Sequence, residues 1–205
     1  NSKQLSIALI GSTYKWHPVE SFLKELSVFN SEHKSQEIVL NLYGVNNSKE
    51  IINLISSKYS NLLTSTFVYE RMENQALLKR IKNDNVMLLF NYYSFMGTKI
   101  FDYIGIKREI LFCYSDDETA NELKNKYYTI KERDEVSQTL QEDLITKKNA
   151  GIIVENSNHL KTVFKNLSVE FKATGQIKCN SLDIEEYSRK HQTGKLAEII
   201  KKITN

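Results

Sequence analysis

Apolar residues in this chain fall in short runs, separated by longer stretches in which they recur every three or four positions. Residues 5–10, 37–42, 62–68, 86–90, 109–114 and 151–154 read as strands. Residues 18–29, 48–58, 72–82, 98–105, 118–126 and 158–172 read as the helices between and after them. Pro18 suits a first helical turn, where its missing N–H costs nothing. Ser48 suits an N-cap ahead of Ile51, Ile52 and Ile55, which share one helical face. The unbroken run Val86-Met87-Leu88-Leu89-Phe90 is that of a strand buried on both faces. After residue 126 the rhythm loosens: 127–130 reads as a short strand, 135–147 as a helix, and 181–203 as a helical tail broken at Gly194.

Strands alternating with helices predict an α/β fold, a Rossmann-like parallel sheet with helices on both faces. Such a sheet binds ligands beyond the carboxyl ends of its strands. The loops that matter are then 11–17, 44–47, 69–72, 91–98 and 115–118.

Composition narrows the classes. The 205 residues suffice for one domain with a core, and no apolar run approaches the roughly 18–20 residues of a membrane span. The first apolar stretch is too short for a signal peptide. The chain opens on Asn1 and enters a strand almost at once, as expected of a domain cut from a longer protein. Against 25 acidic residues stand 28 Lys and Arg, interleaved with them, so no nucleic-acid-binding stripe is expected. Cys113 and Cys179 match no metal or redox spacing, and the usage fits a reducing, cytoplasmic setting.

Several standard sites are missing. Gly11-Ser12-Thr13-Tyr14-Lys15 has too few glycines for a dinucleotide fingerprint or a P-loop, and the strand ending at Leu42-Tyr43-Gly44 carries no ribose-binding acid. His17, His33, His159 and His191 show no zinc spacing, so no metal is expected. One segment stands out: residues 91–104 follow a buried strand and open a helix at Gly97-Thr98-Lys99, with Asp102 three positions beyond Lys99. Free amides at a helix start, a cation and a carboxylate one turn on can hold the phosphate and ribose of a nucleotide. The plainer reading is a capped helix with a surface Lys–Asp pair.

Lys99-Ile100-Phe101-Asp102-Tyr103-Ile104, continuing to Leu111, resembles the "KLFEYLAAGKPIL" signature of group 1 (family 4-like) glycosyltransferases of the GT-B fold. Residues 7–14 with 20–26, 67–77 and 185–200 are similar to further family segments in the family's order. The resemblance implies the C-terminal, donor-binding half of a two-domain enzyme, spanning residues 1–205, with the N-terminal acceptor domain absent. It implies a nucleotide-diphosphate sugar, UDP- or GDP-linked, as substrate, no cofactor, and a cytoplasmic or membrane-peripheral setting in bacterial polysaccharide synthesis. A non-catalytic nucleotide- or protein-binding module of the same fold is the alternative.

Carried over by position, Asp102 falls at the ribose, and Lys99 with the Gly97 and Thr98 amides at the diphosphate. Gly11 and Ser12 fall on the loop facing the donor, with Lys15 or His17 as a basic phosphate contact. Tyr69 and Arg71 fall around the nucleobase. There are departures: the family's first carboxylate of its E-x7-E pair falls at Ser94, its Gly and Pro become Lys107 and Glu109, and 127–147 looks like an insertion. In the tail, Leu182, Ile184, Leu196, Ile199 and Ile200 stand among charges, as on an amphipathic helix that packs on a partner domain.

Overall fold

The computed structural model describes residues 4–130 and 136–204. Six parallel strands form one sheet: β1 (Ser6–Ile10), β2 (Val39–Tyr43), β3 (Thr66–Tyr69), β4 (Val86–Phe90), β5 (Glu109–Cys113) and β6 (Gly151–Val154). Their order is β3-β2-β1-β4-β5-β6. The register sets Ile7 beside both Leu40 and Val86, so β1 lies at the centre and every one of its residues is buried.

Alternation along the strands divides the core in two. Ile7, Leu9, Leu40, Leu42, Leu88, Phe90 and Leu111 point to one face. There they meet α1 (Val19–Glu32), α2 (Ser48–Lys58) and α7 (Ser157–Thr174) through Phe22, Leu26, Ile55 and Phe164. Ala8, Ile10, Met87, Leu89, Ile110 and Phe112 point to the other. They meet α3 (Asn74–Ile81), α4 (Lys99–Gly105) and α6 (Leu140–Lys148) through Ile81, Ile100, Tyr103 and Ile145. The sheet is thus covered on both faces, as its apolar strands require.

Helix starts are capped where the sequence supplies acceptors. Glu73 accepts from Gln75 and Ala76 at α3, and Asn156 accepts from Asn158 and His159 at α7. Asp117 caps α5 (Glu118–Tyr127) through Ala120 N–H, and its second oxygen accepts from the Ser157 amide and hydroxyl. One carboxylate therefore ties the β5–α5 and β6–α7 turns together.

Four expectations need correction. The third strand is only Thr66–Tyr69, because Ser60–Leu62 forms a 3₁₀ turn that buries Leu62. Residues 127–130 are not a strand: α5 continues through Tyr127, and 128–130 have no regular structure. The helix expected over 135–147 is α6, starting at Leu140, and its first expected position lies outside the described residues. Gly194 does not break the tail, where α8 (Arg189–Thr204) runs through it; a glycine costs a helix about 1 kcal/mol, which is not enough to end one.

Two features bear on the departures from the glycosyltransferase pattern. Lys107 holds φ 55°, so the turn into β5 keeps a left-handed residue where the pattern has glycine. The tail docks through a 3₁₀ turn, Ile184–Tyr187, with Glu186 paired to Lys148 at 2.6 Å and Tyr187 against Phe101. Beyond it Leu196, Ile199, Ile200 and Ile203 of α8 are all more than half exposed.

Candidate functional site

The carboxyl ends of β1, β2 and β3 open into a cleft of about 790 Å³. Its walls are Gly11 and Ser12 after β1, residues 44–46 after β2, residues 69–74 after β3, and Lys99 from α4. Gly11 and Gly44 have φ of 65° and 56° and let the loops turn sharply at the strand ends. The Gly11 amide donates to Tyr43 and the Gly44 amide to Tyr69, at 3.0 and 2.8 Å, carrying the sheet's pairing one residue into the loops. Thr13 and Asn46 exchange backbone–side-chain hydrogen bonds, and the Thr13 hydroxyl donates to Asn47. These bonds brace the first two loops as one rim.

Lys99 is the chemical centre of the cleft. Its ammonium donates to the Ser12 carbonyl and lies 5.9 Å from the Tyr92 ring centroid. Burial pulls its pKa down to about 8, and among the described residues no carboxylate pairs with it. A cation held partly out of water without a counter-ion is a place for an anion. Gly11 makes room for it: a Cβ at position 11 would sit 3.3 Å from Lys99 Cε.

At the opposite end Tyr69 stacks on Tyr43, with ring centroids 4.6 Å apart, and the Arg80 guanidinium covers Tyr69 at 4.4 Å. Arg71 is exposed, and its Cα lies 3.2 Å from where a Cβ on Gly44 would be. That close approach fixes Gly44 as a glycine.

The structure gathers five of the expected residues around this cleft: Gly11, Ser12, Tyr69, Arg71 and Lys99. Gly97, Thr98 and Asp102 do not line it. Gly97 is left-handed, with φ 68°, and Thr98 is the residue before α4, without a side-chain cap. With seven residues, α4 offers only a short dipole, so the positive charge rests on Lys99 rather than on the helix start. Asp102 is half-buried on the first turn of α4.

Lys15 is exposed, with its ammonium 5.9 Å from the Tyr127 ring centroid. His17 is buried between Phe90 and Tyr92, and its Nδ1 accepts from the Tyr14 amide. Burial first, and Lys99 second, hold its pKa down at about 3. His17 is therefore neutral near pH 7 and does not serve as a cationic phosphate contact.

Ser94 carries no carboxylate, and its hydroxyl is 3.2 Å from the Tyr128 hydroxyl. From the 127–147 stretch, Tyr128, Gln141 and Glu142 all bond to the β4–α4 loop. Sequence reasoning passed over Gln141 and Tyr92, since neither residue type nor spacing marks them. Among the described residues, no group of His, Cys, Asp and Glu could hold a metal ion, and no helix is long and apolar enough to cross a membrane.

The six-stranded parallel sheet, with this cleft at its carboxyl end, has the Rossmann-like fold found in one half of the GT-B structures it resembles. WaaG, a glycosyltransferase involved in lipopolysaccharide biosynthesis, matches with a TM-score of 0.57 at 11% identity, over 91% of this chain and 45% of WaaG. MnaA of S. aureus, solved with UDP, matches with a TM-score of 0.61 at 10% identity, over 98% and 46%. The UDP-GlcNAc 2-epimerase of Neisseria meningitidis, bound to UDP-GlcNAc, matches with a TM-score of 0.58 at 10% identity, over 97% and 45%. The chain spans a little under half the length of these three proteins. No family model and no curated protein matches the sequence.

Proposed function

We propose that this chain is the donor-binding domain of a glycosyltransferase and holds a nucleotide-diphosphate sugar in the cleft above β1, β2 and β3. The observation that carries the reading is Lys99: a desolvated ammonium, unpaired with any described carboxylate, at the mouth of a cleft of suitable volume. The base and ribose would lie toward Tyr69 and Arg71, and the diphosphate against Lys99 and the Gly11–Ser12 turn. Structures with this fold were solved with UDP and UDP-GlcNAc, which supports the ligand class.

In transfer, the bond between the sugar's anomeric carbon and the diphosphate oxygen breaks, and its electron pair stays on the leaving diphosphate. A preorganised cation stabilises that developing charge without reorganising at the moment of reaction. Lys99 fits that task. The acceptor would come from a second domain, for which the exposed apolar face of α8 offers a packing surface. Transferases and 2-epimerases alike use a nucleotide sugar; the resemblance around Lys99 and Asp102 favours the former. Consumption of a nucleotide sugar without any acceptor would point to the latter.

A thermal-shift screen of UDP, GDP, ADP and their sugar conjugates tests the reading. A ligand at about 100 times its Kd stabilises the folded state by roughly 2.7 kcal/mol. For a domain of this size that raises Tm by about 5–10 °C. One nucleoside diphosphate should do so and its monophosphate much less. A flat screen with every diphosphate at millimolar concentration would leave the alternative, a protein-binding module of the same fold.

A further inference from the structure

The β4–α4 loop, residues 91–98, leads into Lys99, which lines the cleft, and its Tyr92 hydroxyl reaches the carbonyl of the cleft residue Ser12, but its conformation is set from outside. Gln141, at the start of α6, is 1% exposed. Its Oε1 accepts from the Tyr92 amide at 2.8 Å, and its Nε2 donates to the Met96 carbonyl at 2.8 Å. One planar amide thus closes the loop at both ends. Gly97 follows, where a Cβ would lie 3.9 Å from that same Nε2. Tyr128, immediately after α5, donates its hydroxyl to the Tyr92 carbonyl at 3.1 Å. Tyr92 is therefore held at its amide and its carbonyl. Its side chain in turn donates to the Ser12 carbonyl at 3.4 Å, the oxygen that also receives the Lys99 ammonium.

We infer that Gln141 is a positioning residue for the nucleotide site, fixing the β4–α4 loop so that Tyr92 and Lys99 converge on the Ser12 carbonyl at the cleft mouth. The chemistry requires an uncharged amide. The site needs one acceptor and one donor on a rigid plane, spanning a backbone N–H and a backbone C=O. An ionised glutamate would set a second acceptor against the Met96 carbonyl, and a methionine would leave the buried Tyr92 amide and the part-buried Met96 carbonyl without this partner. The inference rests on the nucleotide-binding reading for its purpose, but not for its geometry.

The test uses the full chain with Gln141→Met and Gln141→Glu, and two readouts. Lys99 is titrated by NMR of 13C-labelled lysine, and UDP binding is measured calorimetrically. In the unsubstituted chain Lys99 should titrate near 8. In folded Gln141→Met its titration should move toward the ordinary lysine range, and UDP should bind about tenfold or more weakly. Gln141→Glu should bind UDP normally at about pH 5, where a buried carboxyl is protonated and donates to Met96, and lose about tenfold by pH 7.5.

If Gln141→Met does not fold, the pH dependence of Gln141→Glu decides. Variants that melt earlier yet keep both the Lys99 titration and the UDP affinity would overturn the inference, making Gln141 a core amide only. A chain that binds none of UDP, GDP and ADP, but whose Lys99 titration still follows Gln141, would sustain the positioning role while removing the nucleotide reading.

Discussion

The Lys99 ammonium donates to the Ser12 carbonyl, joining the first turn of α4 to the turn after β1 across the middle of the sheet. The bond holds a charge in place without neutralising it, because a carbonyl supplies a dipole and not a counter-ion. A cation kept in this state costs stability in the free protein and is repaid only when an anion arrives.

Removing that cation should therefore stabilise the empty domain. Lys99→Met keeps the length of the side chain and discards the charge, at the loss of one hydrogen bond to Ser12. At pH 7 the substitution should raise unfolding stability by on the order of 1 kcal/mol, or about 2–4 °C in Tm. A thermal melt without ligand measures it. A fall of several degrees would mean that Lys99 is a structural strut.

Lys107 offers a second test, independent of any ligand. An L-residue in the left-handed region costs about 1–2 kcal/mol, whereas glycine enters it freely but gives up more chain entropy. Lys107 is exposed. Lys107→Gly should raise the urea midpoint, with a net gain of about 0.5–1 kcal/mol. Unchanged or lower stability would show that the side chain contributes something the turn alone does not.

Glu109 stands at the start of β5 with its pKa pushed up to about 7, chiefly by burial and then by Glu170. A carboxyl whose folded pKa lies above its unfolded value stabilises the fold below the unfolded pKa. That contribution is lost as pH rises through the folded one. Glu109→Gln should thus melt close to the unsubstituted chain at pH 4 and above it at pH 8. The difference at pH 8, discounted for partial exposure, should be on the order of 1 kcal/mol. A difference independent of pH would remove the titration as its cause.

Much of this was legible from residue patterns, and the limits have physical causes. The five apolar residues of β4 admit no amphipathic helix, and Ile7 and Leu9 alternating with Ala8 and Ile10 already divide the core by face. A parallel sheet with helices on both faces followed from that rhythm, though its strand order did not. Residues 127–130 misled because two tyrosines and an isoleucine favour strand locally. In the structure Trp16 packs edge-on against Tyr128, whose hydroxyl reaches the β4–α4 loop. Lys99 was visible through its place at a helix start. Gln141 was not, since a glutamine in a polar segment reads as surface until the fold buries it. That His17, one of two alternatives for a basic contact, is held neutral was not legible for the same reason: its burial depends on Phe90 and Tyr92, which only the fold brings near.

Titration calorimetry of the chain with UDP, and with GDP and ADP beside it, shows whether Lys99 anchors a nucleoside diphosphate in this cleft. One of these should bind with a Kd in the micromolar range, about −8 kcal/mol, at pH 7. Affinity should fall above about pH 8 as free Lys99 loses its proton. Lys99→Met should weaken the same ligand by about 10-fold or more while leaving the domain folded. Binding that ignores both pH and Lys99, or no binding of any nucleoside diphosphate, would contradict it.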